Sequence, residues 1–252
     1  MKKSRIGRVV LAATGVLAVA LAGPAIGAAQ GSEAPSYQEF KASTFRDVDN
    51  QYIVNGDEPV GSDGALRQFY KRLMGPKKTS EDGLIVNKVN GVADKWSASQ
   101  ALNLTYCVST KFGSNYAAVV NAMTSGAGLW EGATTKVNFT HVPSADTNCN
   151  VRNNSVLFSV EPTSTTQYIA RAFFPSTPDR SRNVLVNAVS LQNSGNWEPD
   201  DILGHELGHS LGFRHEHTRP ESGTCFEDNN WRPLTPYDSV SIMHYPQCNG
   251  GS

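Results

Sequence analysis

The thirteen residues His205-Glu206-Leu207-Gly208-His209-Ser210-Leu211-Gly212-Phe213-Arg214-His215-Glu216-His217 constrain this chain more than any other stretch. His205 and His209 stand four apart, so on a helix both imidazoles leave the same face and can share one metal ion. Glu206 sits one step round, placed to reach a water on that metal rather than the metal itself. Gly212 then ends the helix, because glycine accepts the left-handed backbone of a sharp stop. The turn brings His215 back as a third nitrogen donor. Three histidines leave one position open, the arrangement of a catalytic rather than a structural zinc site.

A second stretch, Ser241-Ile242-Met243-His244-Tyr245, follows in the order expected of a methionine-containing turn beneath such a metal. Met243 is then a polarisable floor under the imidazoles, or a plain core residue; the two roles overlap. An ion held by three neutral imidazoles lowers the pKa of its water toward ~7, and Glu206 is placed to act as general base as that water attacks a peptide carbonyl. The Tyr245 phenol is a candidate weak metal ligand that swings to the tetrahedral oxyanion during attack. His217, His244 and His141 break the spacing and are set aside as ligands.

The 252 residues allow one or two domains with a real core. A net charge of -1 gives no electrostatic case for nucleic acid or an anionic membrane. Lys2, Lys3, Arg5 and Arg8 precede an apolar run from Val9 to Ala22 and small residues to Ala29. That pattern predicts an export signal, cut after Ala29, too short for a comfortable membrane span; a retained anchor is the alternative. Residues 30–95 lack cysteine and mix acids with bases, which reads as a pro-segment or, alternatively, a permanent N-terminal subdomain. Within them, Leu66 to Met74 predicts a short amphipathic helix stopped by Gly75-Pro76, and Lys77-Lys78 with Ser80 to Gly83 an exposed, easily nicked stretch.

From Trp96 the patterning is that of a compact domain. Five strands are predicted at 102–108, 137–142, 155–160, 168–174 and 184–189. Between the first two, Tyr116, Val119, Val120, Met123, Ala127 and Trp130 fall at helical spacing, with Gly126 and Gly128 weakening the second half. Pro199 and the carboxylates of Asp200 and Asp201 launch the metal-binding helix, roughly 199–211. Cys107, Cys149, Cys225 and Cys248 are an even set in an exported chain, so two disulfides are expected. Of the three pairings, Cys107–Cys149 and Cys225–Cys248 are favoured. The acids Asp146, Asp179, Asp200, Asp201, Glu227 and Asp228 offer oxygens but no recognisable calcium-loop spacing.

His205 to Arg219 together with Ser241 to Tyr245 resembles the astacin branch of the metzincins, and from about Trp96 onward the chain is similar to the small secreted bacterial dual-action HEIGH metallopeptidases. The resemblance implies an α+β, metzincin-like (zincin-like) fold. It would have a twisted, mostly parallel five-stranded sheet with an antiparallel edge strand, a backing helix, an active-site helix and a small irregular C-terminal subdomain. It further implies a secreted, monomeric bacterial zinc endopeptidase with one catalytic zinc ion, acting on polypeptides laid along the edge strand at 168–174. Tyr245 matches the astacin zinc-binding tyrosine, and Glu216 the glutamate that receives the mature N-terminus. Val54-Asn55-Gly56-Asp57 resembles the astacin pro-segment motif whose aspartate ligates zinc, though Val54 replaces its aromatic residue and Asn-Gly-Asp also reads as an ordinary turn. Two departures stand out: Pro220-Glu221-Ser222 after Arg219, and a C-terminus seven residues after Tyr245, where metzincins carry a further helix.

The expected layout is therefore a signal peptide over 1–29, a pro-segment over 30–95 and a catalytic domain over 96–252. The competing reading is a catalytically silent relative that binds peptide or protein; retention of Glu206 beside an intact histidine set argues against it.

Overall fold

The computed structural model describes residues 34–75, 85–195 and 197–250. The signal expected over 1–29 and the nicking stretch expected between 77 and 83 lie outside them. In chain order come α1 (Tyr37–Ser43), β1 (Tyr52–Val54), β2 (Glu58–Val60) and α2 (Asp63–Leu73), then β3 (Ile85–Val89), β4 (Val92–Ala93), α3 (Ala98–Ala101) and β5 (Leu104–Val108). The long helix α4 (Tyr116–Ala133) follows, then β6 (Phe139–His141), β7 (Phe158–Pro162), β8 (Ala170–Arg171), β9 (Asn183–Val186), α5 (Ala188–Gln192), α6 (Pro199–Leu211) and β10 (Trp231–Pro233).

Residues 35–75 build a small core of their own. Ser36 and Glu39 cap α1 reciprocally, and Ser62 caps α2. Leu66 and Phe69 of α2 then pack on Tyr37, Tyr52 and Val54. β1 and β2 form a hairpin in which Val54 faces Glu58, so residues 55–57 are its tip. Asn55 and Gly56 turn the chain there with φ of 54° and 98°.

The main sheet has strand order β6-β5-β7-β9-β8. The first four strands run parallel and β8 is antiparallel to β9 at the edge. One face buries Leu104, Tyr106, Val108, Phe158, Val160, Val184 and Val186 against α4 and α6. The two helices cross closely at Gly126: a methyl added there would stand 2.6 Å from the Gly204 nitrogen. Gly126 is therefore a contact point rather than a weak spot, and α4 runs unbroken to Ala133. A separate three-stranded sheet, β10-β3-β4, joins residues 85–93 to the C-terminal part. Beyond α6 the described residues hold only β10 and short 3-10 turns.

Strand edges differ from the pattern reading for local reasons. The strand expected at 155–160 begins at Phe158, because Asn150 and Asn153 side chains take the amides of Arg152 and Ser155 and hold turns. The strand expected to reach Val189 stops at Val186. Asn187 accepts from the Val189 and Ser190 amides and starts α5 instead. The disulfides are Cys107–Cys149 and Cys225–Cys248. No helix among the described residues is long and apolar enough to cross a membrane.

Candidate metal centre

Helix α6 carries the centre. Pro199 opens it with Asp200 and Asp201 in the first turn, and Gly212 closes it at φ 105°. Any side chain at 212 would also collide with the Asp94 carbonyl, so the left-handed stop and the close approach both require glycine. The chain then doubles back, with the Phe213 amide donating to the Gly208 carbonyl at 2.9 Å, and delivers His215 to the same face.

Three imidazoles converge. His215 Nε2 lies 3.2 Å from His209 Nε2 and 3.1 Å from His205 Nε2, and all three rings are buried. Each Nδ1 has an acceptor: the Ile242 carbonyl for His205 at 2.7 Å, the Phe213 carbonyl for His209 at 2.9 Å, the Glu227 carboxylate for His215 at 2.5 Å. In a neutral imidazole the proton sits on one nitrogen, so these partners place it on Nδ1 and leave three Nε2 lone pairs facing one another. Lone pairs at such distances repel unless a cation is shared between them. The donor set therefore fits a zinc ion, with His205, His209 and His215 to hold it.

Asp57, at the tip of the β1–β2 hairpin, reaches into this cluster. Its carboxylate oxygens lie 3.4 Å from His205 Nε2, 3.5 Å from His209 Nε2 and 3.1 Å from His215 Nε2. Together with the three histidines it forms a buried group able to hold a metal ion. Tyr245 donates its hydroxyl to Asp57 Oδ2 at 2.5 Å, while its ring lies 4.6 Å from that of His215. Burial and the Asp57 charge push the Tyr245 pKa well up.

Glu206 is buried with Oε2 lacking any hydrogen-bond partner. Burial, with Asp57 adding to it, raises its pKa well above the carboxylate range. Met243 is fully buried against Gly208, between the first two histidines in sequence, and its carbonyl accepts from the Glu216 amide at 2.7 Å. Glu216 itself pairs with Arg219 at 3.0 Å and keeps one oxygen without a hydrogen bond. His244 meets the Tyr237 hydroxyl and His141 meets Asp146, both away from the cluster.

One group that sequence reasoning missed is Glu227. It backs His215, touches His217 Nε2 at 3.2 Å and receives Arg214 Nη2 at 3.0 Å. Arg214 is buried and also meets Glu58 at 3.1 Å and Asp228. Glu227 stands in an irregular loop with no fixed spacing from the histidines; the available clue was an arginine inside the motif, directly before His215, needing counter-charges. Glu227 and Asp228 thus both pair with a cation of the chain itself.

A sequence profile of the dual-action HEIGH metallopeptidases matches residues 90–230. Zinc metalloproteinase nas-30 of Caenorhabditis elegans is 39% identical over 67 residues, covering 19% of this chain and 9% of the relative. High choriolytic enzyme 1 of Oryzias latipes is 39% identical over 69 residues, 21% of this chain and 26% of its own. The dorsal-ventral patterning protein tolloid of Drosophila melanogaster is 36% identical over 69 residues, covering 20% and 6%. The matched stretch is thus about a quarter or less of each relative's length.

Proposed function

Because the chain belongs to the dual-action HEIGH metallopeptidase family, we propose that it is an exported zinc endopeptidase made as a latent precursor. The observation that carries the reading is the convergence of three imidazole Nε2 atoms, each ring with an acceptor at its Nδ1, beside a buried Glu206 oxygen without a partner. Zinc, when bound, supplies the Lewis acidity that makes water a nucleophile near neutral pH. Glu206 takes the proton of the attacking water and returns it to the leaving amine. Tyr245, its hydroxyl freed from Asp57, donates to the oxyanion developing on the scissile carbonyl. Met243 supports the imidazoles from below, and Glu227 holds the His215 ring in one tautomer.

Latency rests on Asp57. While its carboxylate sits among the histidines it occupies the place of water and substrate, holds the Tyr245 hydroxyl, and adds to the burial that raises the Glu206 pKa. Residues 35–75 are the piece to be lost. We place the boundary between Gly75 and Ile85 rather than at 95, because β3 pairs with β10 and belongs with the enzyme. Glu216, with one buried oxygen lacking a hydrogen bond, is the acceptor we assign to the new amino terminus. The two disulfides suit an exported protein.

Casein hydrolysis by the purified protein tests the assignment. A chelator should abolish it, added zinc restore it, and Glu206→Gln lower kcat by about 10²–10⁴-fold while zinc content is kept. Full activity in Glu206→Gln would remove that residue from the chemistry.

A further inference from the structure

Arg171 ends β8, and its side chain is fully buried. Its neighbours Ala170 and Ala172 lie in the main core. Arg171 therefore leaves the sheet on the opposite face, in register with Leu185. There its guanidinium is held on one side by the chain's own sheet: Nη1 donates to Asn183 Oδ1 at 2.7 Å and to the Asn183 carbonyl at 3.2 Å. On the other side it meets two carboxylates, Asp47 at 2.8 Å from Nε and Asp49 at 2.5 Å from Nη2. Tyr168 adds a hydroxyl donor to the same Asp47 oxygen at 2.7 Å. Phe45 and Ile53 cover the site by packing on Tyr168 and Leu185.

Both acidic partners belong to residues 35–75, where Gln51 also donates to Asp49, while Arg171, Asn183 and Tyr168 lie in or beside the main sheet. When the segment leaves, a rigidly held guanidinium with a phenol beside it is uncovered without counter-charge. That is a preformed carboxylate socket, since the planar fork of arginine is already oriented by Asn183. The socket is near the chemistry: β8 packs against α6. The segment also shows the span available to one polypeptide, with carboxylates at 47 and 49 in the socket and residue 57 among the histidines.

We propose that in the processed protein Arg171, Tyr168 and Asn183 form an exosite that takes an aspartate or glutamate side chain of a polypeptide substrate, several residues from the bond cut at the metal centre. Asp47 and Asp49 are its internal occupants before processing. The exosite rests on the peptidase reading and on loss of residues 35–75.

Calorimetric titration of the processed protein, its amino terminus read by mass spectrometry, tests this with two synthetic peptides. One spans residues 44–56 and stops short of Asp57; the other is the same with Asp47→Asn and Asp49→Asn. The acidic peptide should bind about tenfold or more tightly than its amide partner, as charge-assisted hydrogen bonds are lost in the latter. Arg171→Gln should erase the difference and Arg171→Lys keep part of it. Tyr168→Phe, which keeps the charge and drops one donor, should narrow the difference and covers the case in which Arg171→Gln does not fold. In digests of a casein-derived peptide library, cut peptides should be enriched in Asp or Glu at a preferred distance from the cut, with the enrichment at background in Arg171→Gln. Equal binding of the two peptides, or the same acidic frequency in both digests, overturns the exosite alone. A protein that cuts no library peptide overturns it together with the peptidase reading, and one that keeps residues 35–75 overturns it together with the latency reading.

Discussion

Two pieces of chain precede the metal-binding helix, and they are attached to it by different forces. Residues 85–96 are held by backbone and core. β3 pairs with β10, the Asn87 amide donates to the Gly212 carbonyl at 2.8 Å, the Arg214 amide to Ile85 at 2.9 Å, and the Trp96 indole to Ser210 at 2.7 Å. Residues 35–75 are held by charge: Asp57 among the histidines, Glu58 on Arg214, Arg72 on Asp228, and Asp47 with Asp49 on Arg171. Their apolar residues largely face one another in a core of their own. Strand pairing is lost only by unfolding, whereas an ion pair can exchange its partner for solvent or for another carboxylate. The first piece is integral to the fold, and under the proposed latency the second is the one to leave.

The Arg214 cluster makes the same point quantitatively. One guanidinium is shared by Glu58, Glu227 and Asp228. Burial pushes the Glu58 pKa up to about 7, with Glu227 and Asp228 adding to burial and Arg214 opposing it. Glu58 is thus the surplus carboxylate. Without it Arg214 would still have Glu227 and Asp228.

The largest expected effect breaks the backbone side of this contrast. Asn87→Pro removes a donor from the middle strand of three, at a cost of ~3 kcal/mol or more. Thermal unfolding should show Tm falling by about 6–12 °C. The matched change Asp47→Asn with Asp49→Asn should instead loosen residues 35–75 in the unprocessed chain, read as faster limited proteolysis of that segment. If Asn87→Pro melts with wild type, strand pairing is not what retains residues 85–96. Next, Asp57→Ala should raise hydrolysis by the unprocessed chain about 10–100-fold, the worth of a charged hydrogen-bonded contact; a variant as silent as wild type would remove Asp57 from latency. Glu227→Gln removes the carboxylate behind His215 and should weaken zinc binding by about 10–100-fold, read by competition with a chromogenic chelator. Unchanged affinity would show that position 227 serves Arg214 alone. The smallest effect is Lys41→Ala, which breaks a solvent-facing pair with Asp63 and should leave latency and melting temperature where they were.

The helix over 199–211 was legible to the residue because proline and glycine mark its two ends and the histidine spacing marks its face. The mostly parallel sheet with an antiparallel edge strand also follows the expected architecture. Strand limits were less legible, since Asn150, Asn153 and Asn187 bind nearby amides and stop extended runs that look continuous by hydropathy. The three histidines announce themselves by spacing, but Glu227 does not. It reaches His215 from a loop whose path is fixed by Arg214 and by its own amide donating to the Thr218 hydroxyl. Asp57 was readable as a turn or as a ligand, and the fold puts it at a hairpin tip with its side chain among the three histidines.

The Cys225–Cys248 bridge closes a loop that contains Glu227, β10, Met243 and Tyr245. A cross-link over 23 residues restrains the unfolded chain by about 3 kcal/mol. Here it also ties the backing of one imidazole, the strand that clasps residues 85–89 and the floor beneath the histidines into a single knot. Reduction of this single bridge would therefore loosen the histidine cluster without touching any of its imidazoles.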